Sequence, residues 1–290
     1  MFIDVHAHVK INPEPWYNGK PLFSTPEQVL ARYDELDIEK GVLLPLVNSE
    51  VYLPQSNEEI LQIASESNGR FIPFCNIDPR ALTNSADAPM EYLLRYYKDR
   101  GCKGIGEVMP NMPFKDPLVQ NLFKNVEKVG FPLIFDISTQ IGGIYGLYDD
   151  VDLPQLEYSL QKFPNLIIIG HGPAFWAQIG QLEKITDRSG YPNYPIKEEG
   201  VVVKLMRKYP NLYADISARS GSNALTRDRD FAINFMNEFQ DKLLFGTDIC
   251  QFDMPIPQPD ILLKLHKANK LTDKVLAKIA KENVIKLLAL

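Results

Sequence analysis

Length, composition and charge exclude several classes of protein for this chain. Its 290 residues, 45% hydrophobic and 23% charged, have the composition of a globular protein and not of a disordered or fibrous one. A net charge of −6 without a basic stripe argues against a nucleic-acid partner, and no apolar run is long enough for a membrane span. Three widely spaced cysteines do not form a disulfide framework, so we expect a cytoplasmic protein.

Eight short apolar segments, bounded by turn residues, recur every 30 to 45 residues along the chain. This spacing is typical of a strand, a crossover helix and the next parallel strand. The predicted strands span residues 2–6, 40–46, 70–77, 103–108, 131–137, 165–171, 211–217 and 242–248.

Amphipathic helices are predicted between these strands. Thr25 and Pro26 give the signal of a helix start, and Asp116 and Pro117 give the same signal further along the chain. A last helical segment is predicted over residues 272–290. Apolar strands that alternate with amphipathic helices predict a parallel sheet covered on both faces.

Eight such units predict an α/β fold of the (β/α)8 barrel type. An open doubly wound sheet is the alternative, but no predicted strand is followed by a glycine-rich phosphate loop. Since no low-complexity linker divides the chain, residues 1–290 are expected to form a single domain. Two long connections, 10–25 and 138–155, are expected to shape a substrate pocket at the strand ends.

The carboxyl ends of parallel barrel strands share one rim, so polar residues at those ends are expected to converge. His6 and His8 are two of only four histidines, and strand alternation places both rings on one face, close enough to hold one ion. Two hydrogen-bonded core histidines are the alternative interpretation. The other predicted strand ends carry Glu107, Asp136, His171, Asp215 and Asp248.

Imidazole and carboxylate ligands favour zinc, and after it iron or manganese. Asp248 is interpreted as a ligand that also transfers a proton, with a helix cap as the alternative. His171 is interpreted as a catalytic residue or ligand, and either Glu107 or Asp136 as a further oxygen ligand. Two residues near the rim are candidate substrate contacts: Arg219, suited to a carboxylate, and Trp176 in the segment GPAFW.

His-x-His in the first strand, GHGPAFW after the sixth and FGTD at the last, in this order, resemble the amidohydrolase superfamily. In detail they resemble its amidohydrolase-related branch, which includes aminocarboxymuconate semialdehyde decarboxylase. The resemblance implies a distorted barrel with a divalent metal at its mouth. It implies that His6, His8 and Asp248 are ligands and that His171 polarises or protonates the substrate.

The sequence departs from that branch at one position. Members usually carry a metal-binding histidine at the end of the fifth strand, where this chain has Asp136. Either Asp136 replaces that ligand, or Glu107 completes the metal's coordination, or the metal is bound weakly.

These observations predict a metal-dependent hydrolase acting on a small amide, lactone or cyclic amide. Asp248 would accept a proton from the attacking water, and His171 would steady the developing oxyanion. Non-oxidative decarboxylation of an unsaturated or aromatic acid, with Arg219 gripping the carboxylate, is the alternative. A third hypothesis is a barrel that has lost catalysis and only binds a ligand. The expected partner is a small molecule, with neither nucleic acid nor membrane, and the family resemblance makes a homodimer an expectation.

Overall fold

The computed structural model describes residues 1–14, 16–51 and 54–290. Its strands are β1 (Phe2–Ala7), β2 (Trp16–Tyr17), β3 (Lys20–Pro21), β4 (Ile38–Leu43), β5 (Phe71–Pro73), β6 (Ile105–Val108), β7 (Leu133–Phe135), β8 (Ile137–Ser138), β9 (Leu147–Tyr148), β10 (Ile168–Gly170), β11 (Leu212–Asp215) and β12 (Leu243–Leu244).

Helices follow most of these strands. The α-helices are α1 (Pro26–Glu35), α2 (Asn57–Glu66), α3 (Met90–Asp99), α4 (Pro117–Val129), α5 (Pro154–Lys162), α6 (Pro173–Trp176), α7 (Val201–Lys208), α8 (Ala218–Thr226), α9 (Arg229–Glu238), α10 (Gln258–Lys267), α11 (Asp273–Ala277) and α12 (Asn283–Leu288). Two 3-10 turns cover Ala177–Ile179 and Ile185–Ser189, and a π turn covers Lys278–Glu282.

Each of the eight predicted strands overlaps an observed one, and these eight run parallel. They form two sheets, with the orders β1-β4-β5 and β12-β11-β10-β7-β6. Single bridges, Ala7 to Ile249 and Cys75 to Ile105, join the edges of the two sheets. The fold is therefore the predicted (β/α)8 barrel, in which isolated bridges and single backbone hydrogen bonds replace regular strand pairing at the two junctions.

Local sequence signals explain where the helices begin and end. Thr25 accepts a hydrogen bond from the backbone N–H of Gln28 and completes a capping box at the start of α1. Asp116 accepts one from the N–H of Leu118 at the start of α4, and Gly130, at φ 74°, ends that helix in the left-handed region. Both predicted helix starts are confirmed.

The barrel interior is apolar below the strand ends. Strand residues that point inward form one cluster with two residues of the terminal helix α12: Ile3, Val5, Val42, Leu44, Ile72, Phe74, Ile134, Ile169 and Leu244 with Val284 and Leu288. The other large cluster packs the outer helices against the strands. Since α12 fills the amino-terminal end, the polar residues collect at the opposite mouth. None of the described helices is both long and apolar enough to cross a membrane.

Candidate functional site

Two histidines and two carboxylates meet at the barrel mouth. The Nε2 atoms of His6 and His8 lie 3.1 Å apart. Asp248 Oδ1 is 3.4 Å from the first and 3.5 Å from the second, while Glu107 Oε2 is 3.6 Å and 3.5 Å from them. We call these four residues the donor cluster. They come from β1 and the residue after it, from β6 and from the segment after β12, so residues far apart in the sequence meet only in the folded chain.

Hydrogen bonds on the far side of each ring fix which nitrogen faces the cluster. His8 Nδ1 lies 2.9 Å from the carbonyl oxygen of Leu44, to which only an N–H can donate. His6 Nδ1 lies 2.7 Å from Asp215 Oδ2, a carboxylate that accepts in the same way. In the neutral rings both protons are therefore on Nδ1, and both Nε2 lone pairs face each other.

This arrangement fits a cation. Two lone pairs 3.1 Å apart, with carboxylates beside them, repel unless a positive charge lies between them. Ligands about 2.0–2.1 Å from a tetrahedral zinc ion are about 3.3–3.4 Å from one another. The separations among His6, His8 and Asp248, 3.1, 3.4 and 3.5 Å, agree with that spacing.

The pKa shifts in the donor cluster also indicate a site that holds positive charge. Burial lowers the pKa of His8, but hydrogen bonds to Asp248 and Glu107 outweigh that effect and raise the pKa to about 9. Burial raises the pKa of Glu107, yet the charge of His6 and its hydrogen bonds to the histidines hold it well below the usual range. The site thus retains positive charge, either as protons on the rings or as a bound cation.

Asp215 supports two of the histidines from below. Its Oδ2 atom lies 2.7 Å from His6 Nδ1 and 3.1 Å from His171 Nδ1. Ser217 donates to the same carboxylate through its backbone N–H and its hydroxyl, each at 2.8 Å. From the sequence, Asp215 is predicted at a strand end but is given no role. A carboxylate in the apolar segment NLYADIS is the signal that could have identified it as a hydrogen-bond partner of the histidines.

His171 stands at the edge of the donor cluster. Its Nε2 atom is 3.9 Å from Glu107 Oε1 and 4.0 Å from Asp248 Oδ2. Burial and the charge of His6 lower the pKa of His171. Asp215 and Glu107 outweigh both effects, so the pKa is raised overall. Its Nε2–H can therefore donate to a group bound beside Asp248.

Asp136 lies apart from these contacts. Its carboxylate is buried, and Oδ1 accepts a hydrogen bond of 2.6 Å from the backbone N–H of Ile137. Burial and the charge of Glu107 raise its pKa to about 7. It therefore carries a proton much of the time at neutral pH, unlike Glu107.

A cavity of about 160 Å³ opens beside the donor cluster. Its wall includes Phe23 from the connection 10–25 and Tyr145 from the connection 138–155. The remaining lining residues are His8, Leu46, Glu50, Val51, Glu107, Met109, Asp136, His171, Asp248 and Cys250. Within the described part of the chain, neither lysine nor arginine lines this cavity.

The two predicted substrate contacts lie elsewhere in the structure. Arg219 is exposed, and its guanidinium lies 4.4 Å from the ring centre of Tyr191. Trp176 is 1% exposed and donates through Nε1 to the carbonyl oxygen of Asp215 at 2.9 Å. It packs in the core and supports the site from behind. A larger groove of about 660 Å³ beside α5 and α7 contains no member of the donor cluster.

The family follows from a match over nearly the whole chain. Residues 3–290 match the model of a family described as amidohydrolase, and the chain belongs to that family. Its members usually bind a divalent metal, and His6, His8 and Asp248 form a candidate ligand group here. No curated protein matches the chain.

Solved structures of the same fold include a hydrolase and decarboxylases. A probable 2-pyrone-4,6-dicarboxylic acid hydrolase from Acinetobacter baumannii is 16% identical, with a TM-score of 0.60, over 100% of this chain and 99% of that chain. A 5-carboxyvanillate decarboxylase from Sphingomonas paucimobilis is 13% identical, with a TM-score of 0.63, over 100% and 99%. A 2,6-dihydroxybenzoate decarboxylase from Rhizobium is 17% identical, with a TM-score of 0.57, over 99% and 98%.

Proposed function

We propose that this protein is a metal-dependent hydrolase that acts on a small, uncharged amide, lactone or cyclic amide. The observation that carries the proposal is the spacing of three ligand atoms, the Nε2 atoms of His6 and His8 and Asp248 Oδ1. These residues would hold the cation, and Glu107 would be the fourth ligand. Zinc suits this set of donors best, with manganese and iron as alternatives.

When bound, the cation supplies Lewis-acid activation of a carbonyl and lowers the pKa of water. Asp248 moves the proton. Its Oδ1 atom faces the histidines, while the side chain is 25% exposed and lines the cavity. Oδ2 therefore accepts a proton from the attacking water and returns it to the leaving group.

His171 steadies the charge that develops on the substrate oxygen. Asp215 and the hydroxyl of Ser217, each 3.1 Å from Nδ1, hold the ring so that Nε2 faces the cavity. The Nε2–H group then donates a hydrogen bond to the oxyanion inside a buried site, where such a bond is strongest.

The size and charge of the cavity favour hydrolysis over decarboxylation. A volume of about 160 Å³ suits a substrate with a single small ring, since ligand cavities are usually ~300 Å³ or more. Apart from the proposed cation and the histidines, a carboxylate substrate would meet only acidic charged side chains in the described lining, among them Glu50, and neither a lysine nor an arginine. Arg219, the expected carboxylate partner for decarboxylation, is not part of that lining.

Elemental analysis of protein purified without chelator, followed by a screen of small lactones and cyclic amides, tests this proposal. We expect a bound divalent metal and a ring-opened product heavier by one water. Stripping the metal and Asp248→Asn should each lower kcat/KM by about 100-fold or more. Asp260→Asn, on the exposed surface of α10, is the matched control.

Three results would overturn the proposal. Full activity in both the stripped protein and the Asp248→Asn variant would exclude the scheme. Release of carbon dioxide without uptake of water would favour the decarboxylase hypothesis. Metal content near zero in the chelator-free preparation would favour a barrel that only binds a ligand.

A further inference from the structure

We propose that Glu50 determines substrate specificity by accepting a hydrogen bond from an N–H or O–H group of the substrate. This inference rests on the proposed hydrolase function and adds the chemistry by which the substrate is recognised. The substrate would present its scissile carbonyl to the donor cluster and a separate hydrogen-bond donor to Glu50.

Glu50 occupies an unusual place for a carboxylate. It follows β4, lines the cavity, and its side chain is only 20% exposed. Partial burial of a charge is unfavourable unless the charge is paired. Three apolar residues that line the same cavity, Phe23, Leu46 and Met109, pack together in one cluster.

Arg80 and Asn48 hold the Glu50 carboxylate in a fixed orientation. The guanidinium of Arg80 donates to Oε1 at 3.1 Å and to Oε2 at 3.0 Å. The side-chain amide of Asn48 donates to Oε2 at 3.0 Å. A bidentate pair of this kind fixes both position and angle, which makes Glu50 a preorganised acceptor.

Arg80 itself has its charge satisfied by two carboxylates. Besides Glu50, it donates to Asp78 Oδ1 at 2.8 Å and to Asp78 Oδ2 at 2.7 Å. It is not among the residues that line the cavity. Arg80 is therefore a positioning residue for Glu50, and its own charge is directed to carboxylates and not to the cavity.

The carboxylate keeps acceptor capacity for a ligand. A carboxylate offers about four acceptor positions, and the side chains of Arg80 and Asn48 use one on Oε1 and two on Oε2. Burial raises the pKa of Glu50, but the hydrogen bonds from Arg80 and Asn48 outweigh that effect and lower the pKa overall. The group is therefore ionised at neutral pH. Asp136, the other carboxyl outside the donor cluster, is partly protonated there.

Matched substrate pairs test this role. The probes are α-hydroxy-γ-butyrolactone against γ-butyrolactone, and dihydrouracil against δ-valerolactam, since the first member of each pair carries an additional donor. Wild-type protein should prefer the donor-bearing member. Glu50→Gln should lower kcat/KM for that member by about tenfold or more and change the other by less than about threefold.

Two further variants keep the experiment decisive. Glu50→Asp retains the charge next to Arg80 but shortens the side chain. The carboxylate then no longer reaches the substrate's donor group, so we expect the same loss of preference. Glu183→Gln, whose carboxylate pairs with Lys197 on the surface, should behave as wild type. Metal content and thermal melting of each variant show that the donor cluster is intact.

The two proposals fail in different ways. If wild-type, metal-loaded protein hydrolyses none of the four probes, the hydrolase proposal fails, and the role of Glu50 fails with it. If wild type hydrolyses them but Glu50→Gln slows both members of each pair by the same factor, only the role of Glu50 is overturned.

Discussion

At the scale of single residues, the contacts of Glu107 and Asp136 favour Glu107 as the further ligand that we propose. Glu107 Oε2 lies within 3.6 Å of both histidine Nε2 atoms and is held ionised by them. Asp136 accepts a backbone N–H and has a pKa of about 7. A ligand must be deprotonated to bind a cation, so proton affinity and position both favour Glu107.

We therefore expect Glu107→Gln to weaken zinc binding by at least about tenfold. Mutation of a residue that only orients a ligand already has an effect of that size. Asp136→Asn should leave zinc affinity within about threefold of wild type, since it removes no donor from the cluster. Competition with a chromophoric chelator measures both constants. The opposite order of the two variants would identify Asp136 as the ligand and Glu107 as its neighbour.

The sequence was sufficient to find the candidate residues but not to rank them. His6, His8, His171, Glu107 and Asp248 follow from polar residues at apolar strand ends, because every strand of a parallel barrel ends at one rim. Their distances depend on side-chain direction, which a pattern of polar and apolar residues does not contain. The same reasoning proposed Arg219 and Trp176 as substrate contacts, and the structure places both outside the cavity wall.

At the scale of elements, β1 shows how local irregularity aims the histidines. Ile3 and Val5 belong to the interior cluster, so strict alternation would turn His6 away from the barrel axis. Between Asp4 and Ala7 the register shifts, with three residues of β1 advancing against two of β4. This bulge resets the alternation, and bulges commonly re-aim side chains beside active sites. Periodicity alone does not predict it.

The segment between β8 and β9 makes several hydrogen bonds with one side chain, that of Asn111. Asn111 donates to Ser138 Oγ at 3.1 Å and to the carbonyl oxygen of Gln140 at 3.0 Å. Its own side-chain oxygen accepts the backbone N–H of Gly142. These bonds fix the segment that carries Tyr145 to the cavity wall, so Asn111 is a positioning residue for that wall.

Asn111→Ala should therefore raise KM several-fold, about three- to tenfold, while kcat changes less, because the loop orders the substrate and not the reacting atoms. Steady-state kinetics on whichever substrate the screen identifies gives both constants. Asn234→Ala, exposed on α9, is the control and should change neither constant. An unchanged KM in Asn111→Ala would show that the loop keeps its position without these bonds.

At the scale of the whole molecule, side chains as well as backbone hydrogen bonds join the first and last strands of the ring. Asp4, fully buried in β1, accepts hydrogen bonds from the backbone N–H of Thr247 at 2.8 Å and from its hydroxyl. Tyr33 also donates to Asp4, at 2.6 Å. The eight strands were predictable from spacing and composition, but this seam between the first and last strands depends on contacts more than 240 residues apart in sequence.

Thr247→Val keeps the shape of the side chain but removes one donor from a buried carboxylate. We expect the free energy of unfolding to fall by about 1–3 kcal/mol, the cost of leaving a buried acceptor unsatisfied. Urea denaturation followed by circular dichroism measures it. Thr83→Val, in an exposed connection, should change stability by less than about 0.5 kcal/mol. Equal stability of the two variants would show that the seam does not contribute.

The donor cluster also joins distant parts of the ring, since His6 lies in β1 and His8 directly after it, Glu107 lies in β6, and Asp248 follows β12. A cation that binds only the folded chain stabilises it by about 2.7 kcal/mol at 100 times its dissociation constant. Added zinc should therefore raise the melting temperature of the stripped protein in a concentration-dependent way. The shift should be reduced in Glu107→Gln and retained in His266→Ala, which alters a histidine on α10. An equal shift in all three proteins would mean that zinc stabilises the barrel at another place. This measurement needs no substrate.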